Sequence, residues 1–498
     1  MIRRPPRSTL SPSSAASDVY KRQEIQNCTK LHHFLIMNGC DHLPLQVNLI
    51  TKLKEIEKKI GVRIKVGGLE DYFKEIKKLQ KTLITYTGEL RSAKFRPILA
   101  DVLSTRIYLK QLNFLAQKLL EKYLEPLSSI LMLYGDSYPN ELLSLLWKKL
   151  LLNHAHDSIC GTSVDEVHRE NVARFQEVIS AASNLSIQKL YALGKRIIGE
   201  NKIVVFNPNN WNSTTICAVL IPGNIQIKGI KDDDGEIIPI QIEHIDYFSD
   251  VRKVYFVAKN LPSIGYTTYQ ISNLESNSSD ITISDKAIEN EYLRVEVNPE
   301  KGGSITIYDK KSGIVYRNLN ILIDEGDAGD VYNYDKPDKD IIVSSDTTKA
   351  DYEIIERGPV KATIKVSLKL NVPSMVVNRK RITNTIEQPI DIYYTLYSGI
   401  PRLDIRIILD NKIKDHRLRA MFPIETKHDK VISEVHFYHY ERELIDIDDR
   451  EWIEKAPRVH PFHDFIIVKD EEKGLLIATK GIHEYSAEKY DDGIKLYI

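Results

Sequence analysis

Two short stretches carry the side chains that could do chemistry. "NHAHDSICGTS", residues 153 to 163, places His154, His156 and Asp157 at the end of a leucine-rich run, which then breaks at Gly161. "NGCDH", residues 38 to 42, places Asp41 just past the apolar run Phe34 to Met37. Imidazole can ligate a metal or move a proton near neutral pH, and a carboxyl can act as acid, base or hydroxyl acceptor.

Spacing limits what these groups can do together. On a continuous helix, side chains two positions apart point about 200° from each other, so His154 and His156 could not share one metal there. His156 and Asp157, adjacent at a bend, could approach one ligand. In the plainer reading they cap helix ends and satisfy one another. A binuclear metallohydrolase of the H-x-H-x-D-H type fits poorly, because Asp157 follows His156 directly and the next histidine is His168. For Asp41, an aspartate beyond a buried strand stands in the crevice at the carboxyl end of a sheet, a place suited to catalysis. The alternative is a loop aspartate that caps the next helix.

The elements around these residues fall into three textures. Phe34 to Met37 reads as a buried parallel strand, followed by amphipathic helices over "EIEKKI" and "EDYFKEIKKL" on either side of "GVRIKVGG". Residues 24 to 84 thus form a short α/β piece with too few strands for a sheet of its own. From 85 to 199 the large apolar residues recur at three and four positions. This predicts three helices packed as a bundle, with Pro97 and Pro126 as punctuation. Ser163 with Glu166 makes an S-x-x-E capping box, which places a helix start at Ser163. Beyond Ile203, β-branched residues, two-residue alternation and Asn, Pro and Gly turns predict antiparallel sandwiches: a small β domain over 200–275 and a larger one over 281–498, with "LESNSSD" between them. The last residues, "DGIKLYI", read as a strand, which suggests truncation there.

Length and composition exclude several functions. A chain of 498 residues is too long for one core and predicts two to four domains. Sixty-nine basic residues balance sixty-nine acidic ones. That balance gives no electrostatic footprint for nucleic acid or an anionic membrane. No apolar run reaches the roughly 18 residues of a helical membrane span. Cys28, Cys40, Cys160 and Cys217 are scattered without CxxC spacing, which fits a reducing, cytoplasmic setting. Residues 1–23, rich in Arg, Ser and Pro, read as non-native or disordered and are set aside from the fold.

The motifs together resemble glycoside hydrolase family 38, the α-mannosidases, especially its bacterial and archaeal branch. The resemblance rests on "NHAHDSICGTSVDEVHRE", with "LIMNGCDHLPLQ", "GELR", "LSTRIYLKQLN" and "EPL" before it. "VVFNPNNWN", "EGDAGDVYNYDKP", "DHRLRAMFP" and "GIHEYSA" follow in the expected order. It covers residues 24 to 498. It implies a multidomain α+β protein: the remnant of an α/β catalytic domain, a three-helix bundle, then antiparallel β-sandwiches of mutarotase-like type.

The resemblance also implies roles. His156 takes the place of a histidine ligand to zinc or another divalent cation, Asp157 that of a substrate-binding residue, and Asp41 that of the general acid/base. His154 receives no role, and Arg106 in "LSTR" reads as structural. Retaining hydrolysis uses two carboxyls about 5 Å apart, one as nucleophile and one as acid and then base. The family's His-x-Asp pair and its aspartate nucleophile find no match here, so the implied protein is a fragment, inactive alone, of a metal-dependent α-mannosidase. Its partner would be a mannoside or mannose-containing oligosaccharide, with homo-oligomerisation possible. A noncatalytic carbohydrate-binding or scaffold protein is the alternative.

Overall fold

The structure, a computed structural model, describes residues 33–37, 44–80, 83, 85–197, 202–244, 250–276 and 278–498. Residues 1–23 and Asp41 lie outside the described residues. The chain divides into two compact units, one ending at Leu90 and the other beginning at Arg91.

In the first unit, helix α1 spans Leu49–Ile60 and α2 spans Leu69–Lys78. Gly61 ends α1 in the left-handed conformation, φ 64°, and its N–H donates to the Glu57 carbonyl at 3.0 Å. Acidic Glu70 and Asp71 open α2 and basic Lys77 and Lys78 close it, as the helix dipole favours. Both helices match the amphipathic pattern. The strand expected at Phe34 to Met37 does not form. These residues are irregular, with Ile36 65% and Met37 72% exposed. A strand is stable only when a neighbour satisfies its backbone, and the described residues of this unit include no other strand.

The second unit begins with the helices. α3 spans Ile107–Lys118, passes into a π-helical segment at Leu119–Leu124, and continues as α4, Glu125–Leu133. Pro126 therefore does not end the helix. A proline ring clashes with the carbonyl four residues earlier in a regular α-helix, and the wider π turn just ahead of it lets the chain continue. α5 spans Asn140–Leu152, the short α6 spans His156–Ile159, and α7 spans Asp165–Ile197. Leu109, Ala116, Leu120 and Leu124 on the first helical run meet Leu143, Leu146 and Leu150 on α5 and Phe175, Val178 and Ala182 on α7. Steps of three, four and seven put each set on one face, so burying all three faces together makes the bundle.

Helix α7 starts at Asp165, two residues later than the capping box predicts. Glu166 pairs with Arg169 at 2.7 Å instead of reaching back toward Ser163. Ser163 supplies its carbonyl, which accepts from His168 Nε2 at 3.1 Å.

The remainder is antiparallel sheet. A four-stranded and a three-stranded sheet, between Lys202 and Ser272, enclose Ile203, Ile230, Val254, Phe256 and Tyr269. Residues 273–276 and 278–281 are irregular, and the large β region follows. Its centre is the pair Lys361–Pro373 with Thr385–Tyr397, in register along thirteen residues. Ala362, Ile364, Val366, Leu368, Leu370 and Val372 alternate inward from one strand, and Ile390, Ile392, Tyr394 and Leu396 from the other. Against them pack residues from the six-stranded sheet that includes Ile321–Gly326, His416–Glu425, Glu484–Tyr490 and Gly493–Tyr497.

Candidate functional site at the bend between helices α5 and α7

The leucine run of α5 ends at Leu152, and Ala155 then turns extended, φ −50° and ψ 133°. This break lets His156 open the separate turn α6. The turn is held by the Ala155 carbonyl, which accepts from the Ser158 and Ile159 N–H groups at 2.9 and 3.1 Å. Gly161 ends it at φ 80°. A β-carbon at Gly161 would lie 3.2 Å from both the Thr105 carbonyl oxygen and Arg106 Cβ, so glycine is needed for close approach as well as for its backbone angle.

The break also separates the two histidines. His154 turns inward, and its Nε2 donates to Asn113 Oδ1 on α3 at 2.6 Å. Burial pushes its pKa down, so the ring is a neutral brace between helices. His156 turns outward with its side chain 90% exposed. Its Nε2 stands 3.5 Å from Asp157 Oδ1, and Asp157 also accepts from the Thr162 hydroxyl at 3.0 Å. The bend thus displays an imidazole and a carboxylate side by side.

A polar network braces the turn. Arg106 caps the start of α3 with φ 50°, donates through Nε to the Gly161 carbonyl at 3.1 Å, and pairs with Asp165 at 2.6 Å. Lys110, 3% exposed, donates to the Thr105 and Cys160 carbonyls, and burial pushes its ammonium pKa down to about 8. Below lies buried Asn153, whose amide donates to the Asn171 carbonyl at 2.9 Å and whose oxygen accepts from Arg174 at 2.7 Å. Sequence reasoning singled out Arg106 but missed Lys110, Asn153, Asn171 and Arg174. The signal available was a polar row at 168, 171 and 174, three apart on one face of α7.

The donor set at the bend is small. A zinc site takes three or four protein ligands. His156 and Asp157 offer two, and among the described residues no third ligand joins them within one coordination sphere. By themselves these described residues do not form a zinc site. A cleft of about 300 Å³ lies beside Arg106, Tyr108, Asp165, His168, Arg169 and Val172, and neither His156 nor Asp157 lines it.

Comparison with known proteins gives this architecture its class. The family description "Alpha mannosidase middle domain" matches residues 98–193, which contain the whole bend. "Glycosyl hydrolases family 38 C-terminal domain" matches residues 288–498. Both describe parts of glycoside hydrolases, and the chain belongs to glycoside hydrolase family 38.

Individual relatives agree. A protein of Halalkalibacterium halodurans, provisionally named a mannosylglycerate hydrolase, is 28% identical over 94% of this chain and 59% of its own length. Human Alpha-mannosidase 2C1 is 24% identical over 35% of this chain and 17% of its own. Among solved structures, an alpha-mannosidase from Enterococcus faecalis V583 superposes with TM-score 0.80 at 23% identity, covering 98% of this chain and 62% of the other. A second Enterococcus faecalis protein of family 38 gives TM-score 0.76 at 24% identity with the same coverage. At these identities the structural likeness shows the fold. The chain spans about three fifths of the length of the relatives it matches along nearly all its own length.

Proposed function

We propose that this chain is part of a retaining, divalent-cation-dependent α-mannosidase, and that the bend between α5 and α7 faces the sugar. The observation that carries this reading is the display of His156 and Asp157, 3.5 Å apart and exposed, on a turn whose Cys160 and Gly161 carbonyls are held by Lys110 and Arg106. In this reading residues 24–84 belong to the catalytic domain, 85–199 to the bundle, and 200–275 and 281–498 to the two β domains.

The residues would divide the work as follows. Asp157 accepts hydrogen bonds from sugar hydroxyls and orients the ring. Asp41 gives its proton to the departing glycosidic oxygen and then takes one from water, while a second carboxylate, not assigned on this chain, attacks the anomeric carbon. A divalent cation, to which His156 would be one ligand, supplies positive charge at the sugar hydroxyls when bound. With two donors at the bend the chain alone would hold a cation weakly there, and we propose that it is inactive by itself. The substrate would be a terminal α-mannosidic bond in a mannoside or mannose-containing oligosaccharide. The name of the Halalkalibacterium relative makes mannosylglycerate the first compound to try. We place the enzyme in the cytoplasm. No described helix is long and apolar enough to cross a membrane. Size-exclusion chromatography would decide whether it forms homo-oligomers.

The test is hydrolysis of p-nitrophenyl α-mannoside and of mannosylglycerate, with added Zn²⁺ or Co²⁺. It uses the 498-residue chain and the same chain supplemented with the catalytic portion of a family 38 relative. The expected result is turnover only in the supplemented sample, lost on His156→Ala and on Asp157→Asn. Full activity in both variants would overturn the site assignment. The incomplete donor set at the bend favours one second reading, a noncatalytic carbohydrate-binding protein. Saturable mannoside binding without turnover in either sample would select it.

A further inference from the structure

A second group of potential ligands lies far along the sequence from the bend. Glu434, His463 and Asp464 bring their ligand atoms within 4.8 Å of one another, and among the described residues no other group of three or more His, Cys, Asp or Glu does so. Glu434 sits near the end of strand Lys430–Val435, and His463 and Asp464 stand just before strand Phe465–Lys469, which pairs with it. The backbone holds the three in place. The His463 N–H donates to the Glu434 carbonyl at 2.8 Å, and the Asp464 N–H donates to Glu434 Oε2 at 2.7 Å.

The distances separate two explanations. His463 Nδ1 lies 3.6 Å from Glu434 Oε2 and 3.5 Å from Asp464 Oδ1. Both are too long for a firm imidazole–carboxylate hydrogen bond. Two ligands bound at about 2.1 Å to one tetrahedral zinc-class ion stand about 3.4 Å apart. The spacing therefore suits a shared cation better than direct pairing.

Two further observations agree. Asp464 Oδ1 is buried and has no hydrogen-bond partner, an expensive state for a carboxylate oxygen unless something unseen satisfies it. The His463 ring is held from behind by His483, which stacks on it at 5.9 Å between centroids and donates from Nδ1 to the His463 carbonyl at 3.0 Å. His436 packs against the His463 ring as well, at 4.8 Å between centroids, so the imidazole has two neighbouring rings. The three side chains are 25%, 30% and 49% exposed, so an ion can reach them from solvent.

We infer that Glu434, His463 and Asp464 form a binding site for a divalent cation of the zinc class, separate from the bend at His156. One imidazole with two carboxylates suits Zn²⁺, Co²⁺ or Mn²⁺ better than Ca²⁺ or Mg²⁺, which prefer all-oxygen sets. Three protein ligands leave a fourth position for water or a ligand oxygen. A bound ion joins the strand at Glu434 to the segment before Phe465, which also hydrogen-bonds to His483 through the Phe462 N–H at 3.0 Å.

The test is equilibrium dialysis of the 498-residue chain against Zn²⁺, with visible spectra of the Co²⁺ form, in a His156→Ala background that removes the bend as a competing ligand. The expected result is one bound equivalent that survives His156→Ala and weakens on the order of 100-fold in His463→Gln and in Asp464→Asn. Metal-free melting of each variant separates lost ligation from lost folding. Asp464→Asn, at a half-exposed residue, keeps the test valid should His463→Gln fail to fold. No bound equivalent in the His156→Ala chain, or unchanged affinity in Asp464→Asn, would overturn the inference. Neither result bears on whether the bend serves a mannosidase.

Discussion

The Ser104 hydroxyl donates to Glu484 Oε2 at 2.6 Å, joining the approach to helix α3 to a strand 380 residues later. The two segments also approach closely at Gly481. Gly481, at φ 77°, lies where a β-carbon would stand 2.6 Å from the Gln111 Cα on α3. Glu484 is 8% exposed, and burial pushes its pKa from 4.5 up to about 7, against the opposing Ser104 hydrogen bond.

That shift predicts a pH dependence. Between pH 4.5 and 7 the folded chain holds a proton on Glu484 that the unfolded chain has released. Stability therefore falls as pH rises through this window and is flat above it, a change of about 3 kcal/mol at most from this group. Glu484→Gln, which cannot ionise, should remove that slope in urea unfolding measured at pH 5 and pH 8. An unchanged slope in the variant would show that the carboxyl is already ionised in the folded state.

Asp324 lies at the centre of a buried polar cluster. It pairs with Arg381, and it accepts from His416 Nδ1 at 2.6 Å. The Arg381 and Asp324 side chains are 0% and 1% exposed. Asp324→Asn leaves the buried Arg381 with only the more distant Asp340 carboxylate, 3.8 Å away, and should cost about 3 kcal/mol in chemical denaturation. A loss under 1 kcal/mol would mean that water reaches the guanidinium.

Gly161→Ala tests the bend. The added methyl would meet Thr105 and Arg106 at 3.2 Å with φ at 80°, and the expected loss is about 1–3 kcal/mol. Proteolysis between Asn153 and Asp165 should speed up in parallel, since the turn loses its brace on Arg106.

The two histidines of the bend should respond unequally. His154→Ala leaves Asn113 Oδ1 without its donor inside the bundle and should cost about 1–3 kcal/mol. His156→Ala, at a side chain 90% exposed, should change stability by no more than about 0.5 kcal/mol. Equal losses would contradict the opposite orientations of the two rings.

Much of the fold was legible in periodicity. The apolar rows of the bundle and the alternation along Lys361–Pro373 name their own buried faces, because helix and strand periods are local properties of the backbone. The amphipathic helices α1 and α2 were legible for the same reason. The strand expected at Phe34 to Met37 was a misreading, since a short apolar run says nothing about whether a partner strand lies beside it. The capping box misled by two residues, because a closer partner, Arg169, takes the Glu166 carboxylate.

The sequence by itself determined which residue types the bend offers and which elements surround it. Tertiary structure decided their roles. His154 faces inward because Asn113 waits there, and His156 faces outward because Ala155 breaks the helix between them. The ionisation of Glu484 and the meeting of Glu434 with His463 and Asp464 were equally invisible in one dimension. Burial and proximity are properties of distant chain segments brought together, and local pattern carries no record of them.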